Sequence, residues 1–429
     1  MSSFAPEDPE TVFTYGAPQL KFGRGARHEI AHDLGQLGAR RTLVVTDPQV
    51  AATGMPAELV SSIERSGGEA VLYDRSRVEP TDGSLIDAVE FARAAAPFDA
   101  VIAFGGGSSI DTAKAVNLLL TNDGELMDYV NAPVGGGRAP EHPLLPLIAV
   151  PTTTGTGSES TTICVLDVVS QHVKSGISHA RLRPAFAVVD PELTMTQPAG
   201  VTAAAGLDIL CHALESYTAR PYTSYEHKQP QERVPYCGAN PIADLWAEKS
   251  LTLMADAFRT AVRHGDDGRA REQMALAATF AGLGFGNAGV HIPHANAYPI
   301  AGQVPEGFRP EGYDADHAMV PHGMAVSLTA PAAFAFTFDA DPDRHVRAAR
   351  LLDPDAGADD PADLLPGVLR SIMRDVGIPN GLAAIGFTEG DVPALVEGTL
   401  KQQRLLATAP KPVGEEDAAA ILRASVELW

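Results

Sequence analysis

The sequence has little cysteine and few cations. Its three cysteines, Cys164, Cys211 and Cys237, are unevenly spaced with no CxxC pair. That argues against a disulfide framework and fits a reducing compartment. Lysine and arginine number 32 against 54 acids, a formal net charge of −22. A nucleic-acid partner is disfavoured, because phosphate binding needs a basic surface. An anionic membrane is disfavoured by the same sign, and the surplus acid reads as a strongly solvated surface. No apolar run reaches about 18 residues, so no membrane span is expected. The opening residues, MSSFAPEDPETVFTYG, have neither the apolar stretch of a secretory signal nor the arginines of a transit peptide. A cytoplasmic location is the resulting expectation. No internal repeat or low-complexity tract stands out.

What is present is ordinary for a globular chain: 45% hydrophobic and 20% charged residues over 429 positions. That length allows two or three domains and a large core. The first half alternates short apolar runs with helical stretches. RTLVVTD (41–47), AVLYD (70–74), AVIAFGGG (100–107), LIAVPTTTGTG (147–157) and FAVVDP (186–191) read as strands. Stretches such as SLIDAVEFARAAA (84–96) read as helices between them. Continuous apolar strands separated by helices predict a parallel sheet covered on both faces. After about residue 198 strands almost vanish, and residues 243–265 and 270–286 show helical apolar spacing with much alanine. The expectation is an α/β domain over 1–197 and an all-helical domain over 198–429, with a hinge near the prolines of DPELTMTQPAG and a ligand cleft between the domains. Residues 225–240 and 303–317 read as surface excursions.

AVIAFGGGSSIDTAKAV is a strand, a glycine turn and a helix. Glycines let the backbone approach a phosphate, the helix start offers free N–H groups, and Ser108 and Ser109 add cap donors. PTTTGTG also follows a strand and carries hydroxyls and glycines that suit a diphosphate or ribose. Two such loops at parallel strand ends converge on one crevice. Asp47, closing RTLVVTD, is placed to accept from ribose hydroxyls, which favours NAD over NADP, or to cap the following helix.

GLDILCHALESY sets Asp208 and His212 four apart, on one helix face. Such a pair can share a divalent ion or simply hydrogen-bond. HIPHANAY adds His291 and His294, and VPHG adds His322 between a proline and a glycine. One aspartate with three histidines suits Fe²⁺ or Zn²⁺ with an open position for substrate. Beside a dinucleotide loop, such an ion would act as a Lewis acid on an alcohol or carbonyl oxygen while carbon exchanges hydride with nicotinamide. Pro293 fits a helix start, which leaves His291 at the threshold as a capping or supporting residue and puts His294 in the first turn, with Tyr298 four residues on.

FGGGSSIDTAK, PTTTGTGSE, GLDILCHALESY and VPHG together resemble the iron-containing (group III) alcohol dehydrogenases, from FGRGA (22–26) to the C-terminal helices. Within that family VEPTDGS, LDILCHALESYTARPY, NPIADLW, FAGLGFGNAGVH and YDADHAMVPHG resemble the hydroxyacid–oxoacid transhydrogenase branch. The resemblance implies a dinucleotide-binding α/β domain and a helical domain, in the general architecture shared with dehydroquinate synthase, with metal and cofactor in the cleft. It implies Asp208, His212, His294 and His322 as metal ligands. It implies NAD contacts from Asp47, Gly106, Gly107, Ser108, Thr152, Thr153, Thr156 and Lys174. Asp111 and Lys114 are expected to order the phosphate helix rather than touch substrate. Three departures from most members stand out: Tyr298 where HxxxH has its second histidine, Thr81 where many have Asn, and a longer link between the last two metal histidines. Tyr298 thus becomes a candidate for orienting substrate or passing a proton, or else a packed aromatic.

The branch implies hydride passing from a hydroxy acid such as 4-hydroxybutyrate to a 2-oxoacid such as 2-oxoglutarate through bound NAD. An ordinary NAD-dependent alcohol dehydrogenase or aldehyde reductase is the second reading, and a dehydroquinate synthase-like lyase the third. Lys228, Arg233 and Arg309 are candidate anchors for a substrate carboxylate or plain surface charges. The family also implies a homodimer or larger assembly.

Overall fold

The computed structural model describes residues 8–171, 173–313 and 318–429. It divides into two compact units, Ala17–Met195 and a second unit that joins the N-terminal segment up to Gly16 with Thr196–Trp429. Residues 8–16 therefore fold with the helices, not with the α/β domain in which the sequence reading placed them. The reason is local: the Glu10 carboxylate (4% exposed) accepts from the main-chain N–H of Thr11, Val12 and Lys228 and from the Arg233 guanidinium.

The α/β unit holds a six-stranded sheet in the order β1–β8–β5–β4–β2–β3, where β1 is Gln19–Phe22, β2 Arg41–Val45, β3 Glu69–Tyr73, β4 Ala100–Gly105, β5 Leu147–Pro151 and β8 Phe186–Val189. Every pairing in it is parallel. The apolar runs are continuous because both faces are covered: Leu43, Val45, Val101, Ala103, Leu147 and Ala149 enter one core, and Val44, Ile102, Phe104, Ile148, Val150 and Val188 enter the other. The antiparallel hairpin of β6 (Ile163–Val168) and β7 (Val173–Ser178) has no counterpart in the sequence reading, and neither has β1. β6 alternates buried and half-buried residues, a weaker signal than an apolar run.

The second unit is helical. Helix Ala199–Thr218 lies at its centre, and from Thr202 to Thr218 only Ala205 is not buried. Its glycines permit this crowding, since a Cβ on Gly206 would come within 2.1 Å of the Phe258 ring. Helices Pro241–Arg263, Gly268–Ala288, Ile292–Gly302 and His322–Thr337 share one apolar core with it. Among the described residues no single helix is long and apolar enough to cross a membrane.

Candidate metal centre and dinucleotide loops

Three segments deliver the candidate ligands. Helix Ala199–Thr218 carries Asp208 and His212 one turn apart, and His212 Nε2 lies 3.7 Å from Asp208 Oδ1. Helix Ile292–Gly302 begins at N-cap His291 with Pro293 in its first turn, where a missing N–H costs nothing. That start places His294 Nε2 3.6 Å from the same Asp208 oxygen. Helix His322–Thr337 begins on His322, and Gly323 explains how it comes so near. A Cβ there would meet the Ala204 carbonyl oxygen at 2.1 Å and the Asp208 Cβ at 2.7 Å, so only glycine permits this crossing. His322 Nε2 is consequently 3.8 Å from Asp208 Oδ1.

These separations exceed hydrogen bonds. Metal–ligand arms of about 2.0–2.2 Å put neighbouring tetrahedral ligands roughly 3.3–3.6 Å apart, close to what is observed. The donor atoms of Asp208, His212 and His294 all lie within 4.8 Å of one another, and all three residues are buried. Half-buried His322 stands at the rim of that set. Asp208 Oδ1 and His294 Nε2 are buried yet make no hydrogen bond, an arrangement that is costly unless a cation takes both. Burial acts to raise the Asp208 carboxyl, but the surrounding imidazoles hold it well below the usual carboxylate range. Burial pushes His212 down to about 3, a neutral ring suited to ligation. The residues therefore fit a divalent ion.

The sequence reading missed Glu215. It is fully buried seven residues after Asp208, accepting the His291 main-chain N–H on Oε2 at 2.5 Å and meeting His294 Nδ1 with Oε1 at 2.6 Å. For His294, burial is outweighed by Glu215 and Asp208, which raise the ring to about 9. His291 does not join the ligand set: its ring Nε2 meets the Thr218 hydroxyl at 3.1 Å. Its supporting place was expected, but the partner was not. Tyr298 is 9% exposed, its ring centroid 6.3 Å from that of His322 and nearly parallel to it.

In the α/β unit, β2 is flanked by β3 and β4, so the chain reverses direction across the sheet between β2 and β4. Ligands bind at the carboxyl ends of strands at such a point. Asp47 closes β2, and its Oδ1 caps helix Pro48–Ala52 through the N–H groups of Gln49 and Val50. Its Oδ2 accepts the Ser109 hydroxyl at 3.1 Å. The capping reading of Asp47 is met, and the oxygen that does not cap is the one turned toward the glycine loop. Gly105 and Pro151 are register partners, so the two loops leave adjacent strands side by side. A Cβ on Gly106 would lie 3.3 Å from Thr153, and one on Gly107 2.8 Å from Thr156. Helix Gly107–Thr121 starts without a side-chain cap, leaving its first N–H groups for a ligand. Ser108 accepts the Glu79 N–H at 3.3 Å, and Thr152 donates its N–H to Gly105 at 3.1 Å.

Lys174 sits on β7, where its ammonium pairs with Glu79 and, at 3.3 Å, with Asp167. Asp111 accepts the Val165 N–H, and fully buried Lys114 donates to Ser158, Thr161 and Ile163. Among the carboxylate anchors considered, Arg233 is engaged by Glu10 and by the Val12 and Lys228 carbonyls. Arg309 is exposed and bonds the neighbouring Phe308 carbonyl.

Two family models match the chain, Iron-containing alcohol dehydrogenase over residues 17–191 and Fe-containing alcohol dehydrogenase family, C-terminal, over 232–426. The chain belongs to the iron-containing alcohol dehydrogenase family. It is therefore an oxidoreductase, of a family whose members bind NAD and a metal and act on small molecules. Among its relatives, the mitochondrial hydroxyacid-oxoacid transhydrogenase of Xenopus tropicalis is 44% identical over 426 residues, 98% of this chain and 92% of that protein. The crystal structure of 1,3-propanediol oxidoreductase is similar with a TM-score of 0.83 at 29% identity, covering 97% of this chain and all of that one. Sulfoacetaldehyde reductase from Bifidobacterium kashiwanohense, in complex with NAD⁺, is similar with a TM-score of 0.80 at 26% identity, covering 97% and 99%. The relatives correct one expectation. The transhydrogenases among them are named as mitochondrial proteins, so the cytoplasmic location expected from the sequence does not stand. Low cysteine use and an acidic surface report redox conditions and solvation, which do not specify an address.

Proposed function

We propose that this chain is a hydroxyacid–oxoacid transhydrogenase that carries hydride from a 4-hydroxybutyrate-like hydroxy acid to a 2-oxoglutarate-like oxoacid on retained NAD. The observation that carries the reading is the buried Asp208 Oδ1, which has no hydrogen bond and faces His212, His294 and His322, in a chain 44% identical to a protein of that name. Asp208, His212, His294 and His322 are the proposed metal ligands, for Fe²⁺ first and Zn²⁺ second, since nitrogen-rich sites of this kind accept either. The ion would serve as a Lewis acid toward the substrate oxygen.

Gly106, Gly107 and Ser108 at the helix start, with Thr152, Thr153 and Thr156 opposite, are the proposed diphosphate cradle. The Asp47 carboxylate is the proposed ribose acceptor, and its negative charge disfavours a 2′-phosphate. Lys174 is proposed near the nicotinamide ribose. Tyr298 is the proposed proton-handling residue, buried one turn beyond His294 and against His322. The working form is proposed to be a homodimer or larger, without a nucleic-acid or membrane partner.

The test is incubation with 4-hydroxybutyrate and 2-oxoglutarate without added NAD. Formation of 2-hydroxyglutarate is expected, at a rate that added NAD does not raise. Sustained release of free NADH from 4-hydroxybutyrate alone would instead favour an ordinary alcohol dehydrogenase.

A further inference from the structure

Two carboxylates are buried along one face of helix Ala199–Thr218, Asp208 at 2% and Glu215 at 0% exposure. Among the described residues both form ion pairs with histidines only. Two buried negative charges without lysine or arginine are expensive. A single imidazolium balances one of the two charges, whereas one divalent cation balances both. The ligand set read from sequence carries a single negative charge, and Glu215 adds the second from one shell further out.

Glu215 is also matched to two donors at once. Its Oε1 lies 2.6 Å from His294 Nδ1, and its Oε2 accepts the His291 N–H at 2.5 Å. An Nδ1–H donated to Glu215 leaves the Nε2 lone pair of His294 directed at Asp208 Oδ1, 3.6 Å away. The His291 contact ties down the residue where helix Ile292–Gly302 begins. One carboxylate thus sets the ring's tautomer and the helix start from which that ring projects.

We propose that Glu215 is the positioning residue of the metal centre: through His294 it sets metal affinity, and it completes the charge balance with a divalent ion. The proposal rests on the metal reading above. A carboxamide cannot replace it. Glu215→Gln has one acceptor and one donor, so either the His291 N–H faces an N–H, or the amide donates to His294 Nδ1 and forces the proton onto the ligating Nε2.

The experiment measures Zn²⁺ affinity of the full chain by competition with a chromophoric chelator. Glu215→Gln is expected to bind about 10–100-fold more weakly than wild type, the usual cost of losing a carboxylate behind a ligating histidine. Thr218→Val, which removes the His291 ring contact and the bond to the Leu214 carbonyl but neither contact of Glu215, should stay within about twofold of wild type, and Asp208→Asn should lose binding more severely than Glu215→Gln. Wild-type affinity in Glu215→Gln beside weak binding in Asp208→Asn would overturn the inference and leave the metal reading intact. Wild-type affinity in Asp208→Asn would overturn both. A second measurement needs no variant: histidine-selective ¹⁵N spectra of the Zn²⁺-loaded wild type should show His294 protonated at Nδ1 and slow to exchange. A rapidly exchanging or unprotonated Nδ1 would count against the inference equally.

Discussion

The ammonium of Lys114 donates to the Ser158 carbonyl at 2.9 Å, and with it one buried cation joins helix Gly107–Thr121 to the loop that faces it. Further bonds to the Thr161 hydroxyl and the Ile163 carbonyl complete its three donors. Asp111, 3.8 Å away, is the nearby carboxylate, and burial pushes it up to about 6. Lys114→Met should leave three buried acceptors short of a donor, at about 1–3 kcal/mol each before relaxation. Chemical denaturation should show a net loss of about 3 kcal/mol, and NADH titration a weakened affinity. Zn²⁺ affinity should stay at the wild-type value.

Gly107→Ala tests the proposed dinucleotide cradle with a single methyl. The added carbon would stand 2.8 Å from Thr156 Cγ2 and 2.9 Å from its hydroxyl, so the facing loop must move. NADH fluorescence titration should show at least about tenfold weaker binding, about 1.4 kcal/mol. Unchanged affinity would remove these two loops from the cofactor site.

Glu10 and Arg233 predict an acid-sensitive tether. Burial acts to raise the Glu10 carboxyl, but Arg233 and the N–H groups of Val12, Lys228 and Thr11 bring it down from 4.5 to about 2. A depressed folded value means that the stabilisation is complete above the unfolded carboxylate value and is lost as pH falls toward about 2. Arg233→Ala should lower stability at neutral pH by about 2–3 kcal/mol and flatten the fall in melting temperature below about pH 5. The KM for a hydroxy acid should not change, because this guanidinium is already committed. A raised KM with unaltered stability would restore Arg233 as a substrate anchor.

Tyr298→Phe separates proton handling from packing. The ring stays, so metal content and melting temperature should match wild type. Turnover should fall by about 10²-fold if the hydroxyl serves proton transfer, the lower end for general acid–base groups. Full turnover would leave Tyr298 with packing alone.

Much of the α/β unit was legible because a buried parallel sheet needs continuous apolar strands, and RTLVV, AVIAFG and LIAVP provide them. The β6–β7 hairpin was not, since half of its side chains meet water and its apolar signal is diluted. Chain-local chemistry also placed the metal candidates. Asp208 and His212 share a helix face by spacing, Pro293 marks the helix start that carries His294, and His322 follows Pro321 into the next helix. Glu215 could have been found by the same rule, because positions four and seven after Asp208 fall on one face of a helix.

By itself the sequence determined the periodicities, the helix starts and the residue types able to bind a cation or a phosphate, since these depend on neighbours within a few positions. Only the tertiary structure decided which atoms meet. Gly323 brings one helix against another and so carries His322 to Asp208. Glu215 finds His294, 79 positions away, and Lys114 finds Ser158, 44 away. The Glu10 carboxylate holds residues near the N-terminus to Arg233 in the helical unit. Such contacts follow from close packing of several elements around one core, and no local pattern in the chain encodes the partner.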